Sequence, residues 1–79
     1  MIRFRLKELI AEKEFQEGRR ITLEEIAKAT DIHRTTLSKV SNQKGYNTTT
    51  DVLDKLCEYF QVSLGQLAEH IKDESQEST

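Results

Sequence analysis

The residues able to do covalent or metal chemistry are few and badly spaced for it. One cysteine, Cys57, and two histidines, His33 and His70, stand 24, 37 and 13 residues apart, a spacing that fits no zinc pattern. No glycine-rich phosphate loop and no Cys-His pair at a usable spacing occurs, and Glu24-Glu25 are accounted for by a helix start. The chain is therefore not expected to be an enzyme, and no metal or cofactor is expected. What remains is hydrogen-bonding chemistry. Residues 32–50 contain no carboxylate, yet they carry Arg34, Lys39, Lys44 and a dense run of Thr, Ser and Asn. Arg offers a planar fork to the O6/N7 edge of guanine, and Thr bonds a base or packs its methyl on thymine.

Such a segment must be held on something rigid. Leu, Ile, Val and Phe make up 20 of the 79 residues, above the roughly one-fifth below which a charged chain stays disordered. One small domain is expected, over residues 1–71, followed by an acidic, Ser-rich flexible tail over 72–79. Proline is absent and glycine occurs three times, which predicts helices joined by short polar turns. The first helix is expected from about Phe4 to Glu17, with Leu6, Leu9, Ile10 and Phe15 inward and Gly18 as its left-handed cap. Ile2-Arg3-Phe4-Arg5-Leu6 also alternates. These residues favour a helix start or an extended arm over a short strand, one that would pair across a dimer.

Thr22 and Glu25 form a capping box for a second helix ending near Thr30-Asp31. A third is expected over His33–Ser41 with Leu37 and Val40 inward, and Ile32 fills the angle between the two. Thr48 with Asp51 signals a fourth helix over Thr49–Phe60. Ser63 with Gln66 starts a fifth, with Leu64, Leu67, Ala68 and Ile71 on its buried side and His70 at its C-terminus. Cys57 reads as an inert core thiol, Phe4 and Phe15 as core. No apolar run approaches a membrane span, and no secretory leader is read at the N-terminus, so a cytoplasmic location is expected.

Two short helices joined by Asp31-Ile32-His33 have the proportions of a helix-turn-helix, whose second helix fits the major groove. Charge agrees with this reading. Residues 1–50 carry ten Lys/Arg against seven Asp/Glu, residues 51–79 two against seven, so one part of the chain suits phosphate and the other repels it.

Residues 22–67 resemble the phage-repressor type (Cro/repressor, Xre-like) DNA-binding domain, and with the first helix the resemblance extends over about 4–71. It is carried by Thr-Leu-Glu-Glu-Ile-Ala-Lys-Ala-Thr-Asp-Ile-His-Arg-Thr-Thr-Leu-Ser-Lys and by Thr-Asp-Val-Leu-Asp-Lys-Leu-Cys-Glu-Tyr-Phe-Gln-Val-Ser-Leu-Gly-Gln-Leu. The resemblance implies an all-α, lambda-repressor-like five-helix bundle with the helix-turn-helix at helices 2–3. It implies a sequence-specific regulator of transcription that binds double-stranded DNA, and because one recognition helix covers only about four or five base pairs, a homodimer on paired half-sites is expected. His33, Arg34, Thr35, Thr36 and Lys39 would read bases. Arg19, Arg20, Thr22, Ser38, Asn42, Gln43 and Lys44 would hold the backbone. Three positions depart from the family pattern: Asp31 stands where Gly is common, His33 where a Ser-like cap is usual, and Leu23 where a polar residue often meets phosphate. The −5 charge of residues 51–79 motivates a second reading, an antitoxin or adaptor module that engages a protein partner through those residues.

Overall fold

The structure, a computed structural model, describes residues 1–43 and 45–72; Lys44 and most of the expected acidic tail, 73–79, lie outside the described residues. The chain runs β1 (Ile2–Phe4), α1 (Leu6–Glu17), α2 (Leu23–Thr30), α3 (Arg34–Asn42), α4 (Thr50–Phe60), α5 (Leu64–Leu67) and β2 (Ala68–His70). Among the described residues five helices stand in the expected order, and the mostly helical class agrees with expectation. One core joins them. Leu6, Ile21, Ile26, Ile32, Leu37, Val40, Leu56 and Leu67 are buried together, so every helix contributes at least one anchor.

The caps show how local chemistry sets these boundaries. Thr22 Oγ1 accepts the Glu25 N–H at 3.1 Å and starts α2. The return half of the expected box is missing because the Glu25 carboxylate is drawn to Arg19 instead, at 2.9 and 2.6 Å. Gly18 ends α1 at φ 65 and its N–H donates to the Glu14 carbonyl, a conformation that a Cβ would strain. Asp31 takes the same left-handed turn at φ 60, the residue type that accepts it best after Gly and Asn. The fourth helix is capped by Thr49, not Thr48: Thr49 Oγ1 accepts the Val52 N–H at 3.2 Å. Thr48, Thr49 and Thr50 can all cap, and packing of the α4 stripe selects the frame.

α4 ends at Gln61, a non-glycine residue at φ 55, while the Val62 N–H closes the turn onto the Cys57 carbonyl at 3.0 Å. Left-handed backbone costs an ordinary residue about 1–2 kcal/mol, of which glycine returns part through its freer unfolded chain. Gln61→Gly is therefore expected to stabilise the domain by roughly 0.5–1 kcal/mol, a melting point a few degrees higher by circular dichroism. An unchanged or lower value would show that the Gln61 side chain holds the turn.

The two ends of the chain depart from expectation. Ile2–Phe4 is a strand, and its partner lies within the same chain, not across a dimer. Ile2 pairs with His70, Arg3 with Glu69 and Phe4 with Ala68, antiparallel. α5 accordingly stops at Leu67 instead of continuing to Ile71, and His70 sits on β2, not at a helix C-terminus. The reason is competition for backbone partners. The Arg5 N–H takes the Leu67 carbonyl at 2.7 Å and the Ile71 N–H donates to Met1 at 2.8 Å. Glu69 is meanwhile clamped by Arg3 at 3.1 Å and Arg5 at 3.0 Å. Phe15 is also corrected. At about 100° per residue it faces the side of α1 opposite Leu6, and it is 85% exposed, whereas Phe4 packs against the core as expected. The Cys57 thiol is half-buried, and burial raises its pKa, which keeps it protonated at neutral pH.

Candidate nucleic-acid interface

α2 and α3 meet at Asp31–His33, and Ile26, Ile32, Leu37 and Val40 close the angle between them from inside. The Thr30 hydroxyl is buried there but satisfied, donating to the Ile26 carbonyl at 2.7 Å. With Leu37 and Val40 turned in, α3 shows solvent its other side. His33, Arg34, Thr35, Lys39, Asn42 and Gln43 are exposed, and Thr36 and Ser38 half-exposed. Arg34 and Asn42 mark the ends of a ridge about 12 Å long, on a helix whose diameter of roughly 10–12 Å suits the roughly 12 Å width of the major groove. No carboxylate belongs to it. His33 precedes α3 in extended conformation and makes no side-chain cap, so its imidazole is not consumed by the helix.

The residues expected to touch DNA fall into two groups. Arg19, Arg20, Thr22 and Arg34 line one open cleft between the end of α1 and the start of α2, together with Leu23 and Glu24. Lys39, Asn42 and Gln43 lie at the opposite end of α3, with Ser38 one turn before Asn42. Lys39 reaches over the Tyr46 ring, its Nζ 6.0 Å from the centroid, while Tyr46 itself packs on the core. Asn42 spends one amide hydrogen on the Ser38 carbonyl at 3.0 Å. Lys44, assigned to the same end, lies outside the described residues.

Electrostatics separates the two adjacent arginines. Arg19 is held by Glu25 on both guanidinium arms and by Glu17 at 2.9 Å, so its charge is already answered within the fold. Arg20 is exposed and makes no ion pair among the described residues. Hydrogen bonding from Arg19 lowers the Glu25 pKa; Lys13 does the same for Glu17 and Arg5 for Glu69. Carboxylates depressed on folding contribute stability that is complete above the ordinary Glu value of 4.5 and is lost as pH falls below it. The melting temperature is expected to fall on acidification through that range, and Glu25→Gln to flatten the fall. An identical pH profile in Glu25→Gln would remove this pair from the account.

One feature of the site escapes sequence reasoning. Glu24, read as a helix-start residue, lies 3.9 Å from Arg34 Nε, with both side chains well exposed. The pair spans the turn between two helices, beyond any i, i+4 rule. Among the described acidic residues of the C-terminal part, Asp51, Asp54 and Glu58 are exposed on α4, whereas Glu69 is tied to Arg3 and Arg5.

A family model described as a Cro/C1-type HTH DNA-binding domain matches residues 5–73. The chain belongs to this family. The match runs from the residue before α1 through β2, and so includes both helices of the Asp31 turn and the whole core. No match was found among curated proteins or among solved structures. A Cro/C1-type domain is a DNA-binding domain, and this chain is a DNA-binding regulator in that sense. Among the described residues no helix is long and apolar enough to cross a membrane.

Proposed function

We propose that this Cro/C1-type protein is a sequence-specific repressor or activator that lays α3 in the major groove of double-stranded DNA and acts as a homodimer. The carrying observation is the outward side of His33–Asn42, open to solvent along its length and free of carboxylates. Arg34 would read guanine from the first turn of the helix, with His33, Thr35, Thr36 and Lys39 beside it. Arg20, the Thr22 hydroxyl and the Ser38–Asn42-Gln43 end would hold phosphates on either side and set the register. Arg19 joins them at the cost of loosening its carboxylate pair.

One recognition helix reads about four or five base pairs, too few to single out a genomic site, so specificity calls for two half-sites about 34–36 Å apart or a multiple. Residues 1–71 would form the binding unit, residues 72–79 an acidic appendage, and the protein would work in the cytoplasm by binding without catalysis. Selection from random duplex DNA tests the whole reading. Enrichment of a two-fold symmetric sequence with that spacing is expected; recovery of unselected sequence would overturn it.

A further inference from the structure

Two carboxylates line the open cleft that Arg20, Thr22 and Arg34 share, Glu14 and Glu24. Glu14 is spent inside the fold, where its Oε2 accepts the Ile21 N–H at 2.8 Å. Glu25, the next residue on α2, is claimed by Arg19 on both oxygens. Glu24 instead reaches across to the first residue of the other helix. Its Oε1 lies 3.9 Å from Arg34 Nε, and the two side chains are 74% and 65% exposed. An acid at this point is unexpected on electrostatic grounds. It stands among the groups proposed to hold phosphate, and it cancels part of their charge. A place in the first turn of α2 suits the helix dipole, yet Glu25 already serves that end.

We infer that Glu24 is a positioning residue for sequence reading, which holds the Arg34 guanidinium toward bases and keeps it off phosphate. The inference rests on the reading of α3 as the base-contacting helix. The contact is made to Nε, on the stem side of the guanidinium, and among the described residues no hydrogen bond occupies Nη1 or Nη2. Those two nitrogens are the end of the fork, able to bond guanine O6 and N7 together. A guanidinium steered from its Nε side keeps that end outward, and less side-chain freedom remains to be lost on binding. The same carboxylate meets a phosphate oxygen with like charge wherever Arg34 swings back toward the duplex backbone. Every sequence offers phosphates, and only the right one offers guanine in register. Glu24 therefore lowers affinity for random DNA more than for the preferred site. At 3.9 Å between exposed groups the pair adds little stability; its consequence is where the charge of Arg34 points.

Titration of a labelled duplex carrying the sequence recovered by selection, beside a scrambled duplex at the same salt concentration, tests it. Glu24→Gln keeps the size and removes the charge. It is expected to bind the scrambled duplex more tightly and to lower the preferred-to-scrambled ratio about two- to fivefold, the scale of one exposed ion pair. Glu24→Ala, which removes the acceptor as well, should lower the ratio likewise, and circular dichroism checks that each variant is folded. In an Arg34→Ala background the Glu24→Gln change should strengthen both duplexes alike and leave the ratio where it was. A merely structural role at the helix start would move the melting point and both affinities, with the ratio fixed. Folded Glu24 variants with the wild-type ratio, or an equal fall in the ratio without Arg34, overturn Glu24 as the positioning group and leave α3 as the reading helix. A selection that recovers no preferred sequence overturns both together.

Discussion

Replacing Leu37 by alanine is expected to remove a large share of the protein's stability. Leu37 is fully buried and is the residue by which α3 grips the core, facing Ile26 and Ile32 across the turn. Removing a buried leucine costs about 2–5 kcal/mol, through lost transfer energy and the cavity left behind. A domain of this size is stable by roughly 4–12 kcal/mol in total. A melting point at least about 10 °C lower by circular dichroism follows. DNA binding should fall on preferred and random duplex alike, since the ridge loses its support. Leu37→Met keeps the volume and is expected to cost less than about 1.5 kcal/mol. A Leu37→Ala protein that melts like the wild type would mean that α3 is held by something other than this contact.

Arg34→Ala should behave in the opposite way, with stability intact and recognition lost. The Arg34 side chain is 65% exposed and its one ion pair, to Glu24, spans 3.9 Å; exposed pairs of this kind contribute little. On the preferred sequence the loss of a bidentate guanine contact is expected to cost about 1–3 kcal/mol, roughly five- to 150-fold in affinity. On random duplex the change should be slight. Arg34→Lys should rescue poorly, because an ammonium lacks the planar fork. Titrations of a labelled preferred duplex and a scrambled one, at a single salt concentration, measure the difference. Equal weakening on both would assign Arg34 to phosphate and not to bases.

Wherever the physics is local, the chain announces its own structure. A Thr side chain caps the residues just after it, Gly18 and Asp31 supply positive φ where the helices end, and Leu37 with Val40 decides which side of α3 faces out. These effects act within three or four residues, so the order of the helices, the Asp31 turn and the outward side of α3 are all legible in the sequence. The family resemblance added roles for individual side chains.

Spatial proximity across long sequence separations could not be foreseen in this way. β1 and β2 are three residues each, with register partners 68, 66 and 64 positions apart, and neither bears enough of a pattern to outweigh helix on local grounds. Phe15 keeps helical spacing with its neighbours, yet among the described residues no element covers its side of α1. Arg19 looks as free as Arg20 until Glu25 is brought against it, and Glu24 meets Arg34 because the turn folds the two helix starts together. Ile2, Leu53 and Leu64 are the furthest case, lining one groove only because β1 pairs with β2. Capping and periodicity depend on neighbours along the chain, whereas pairing and exposure depend on whatever the rest of the fold places alongside.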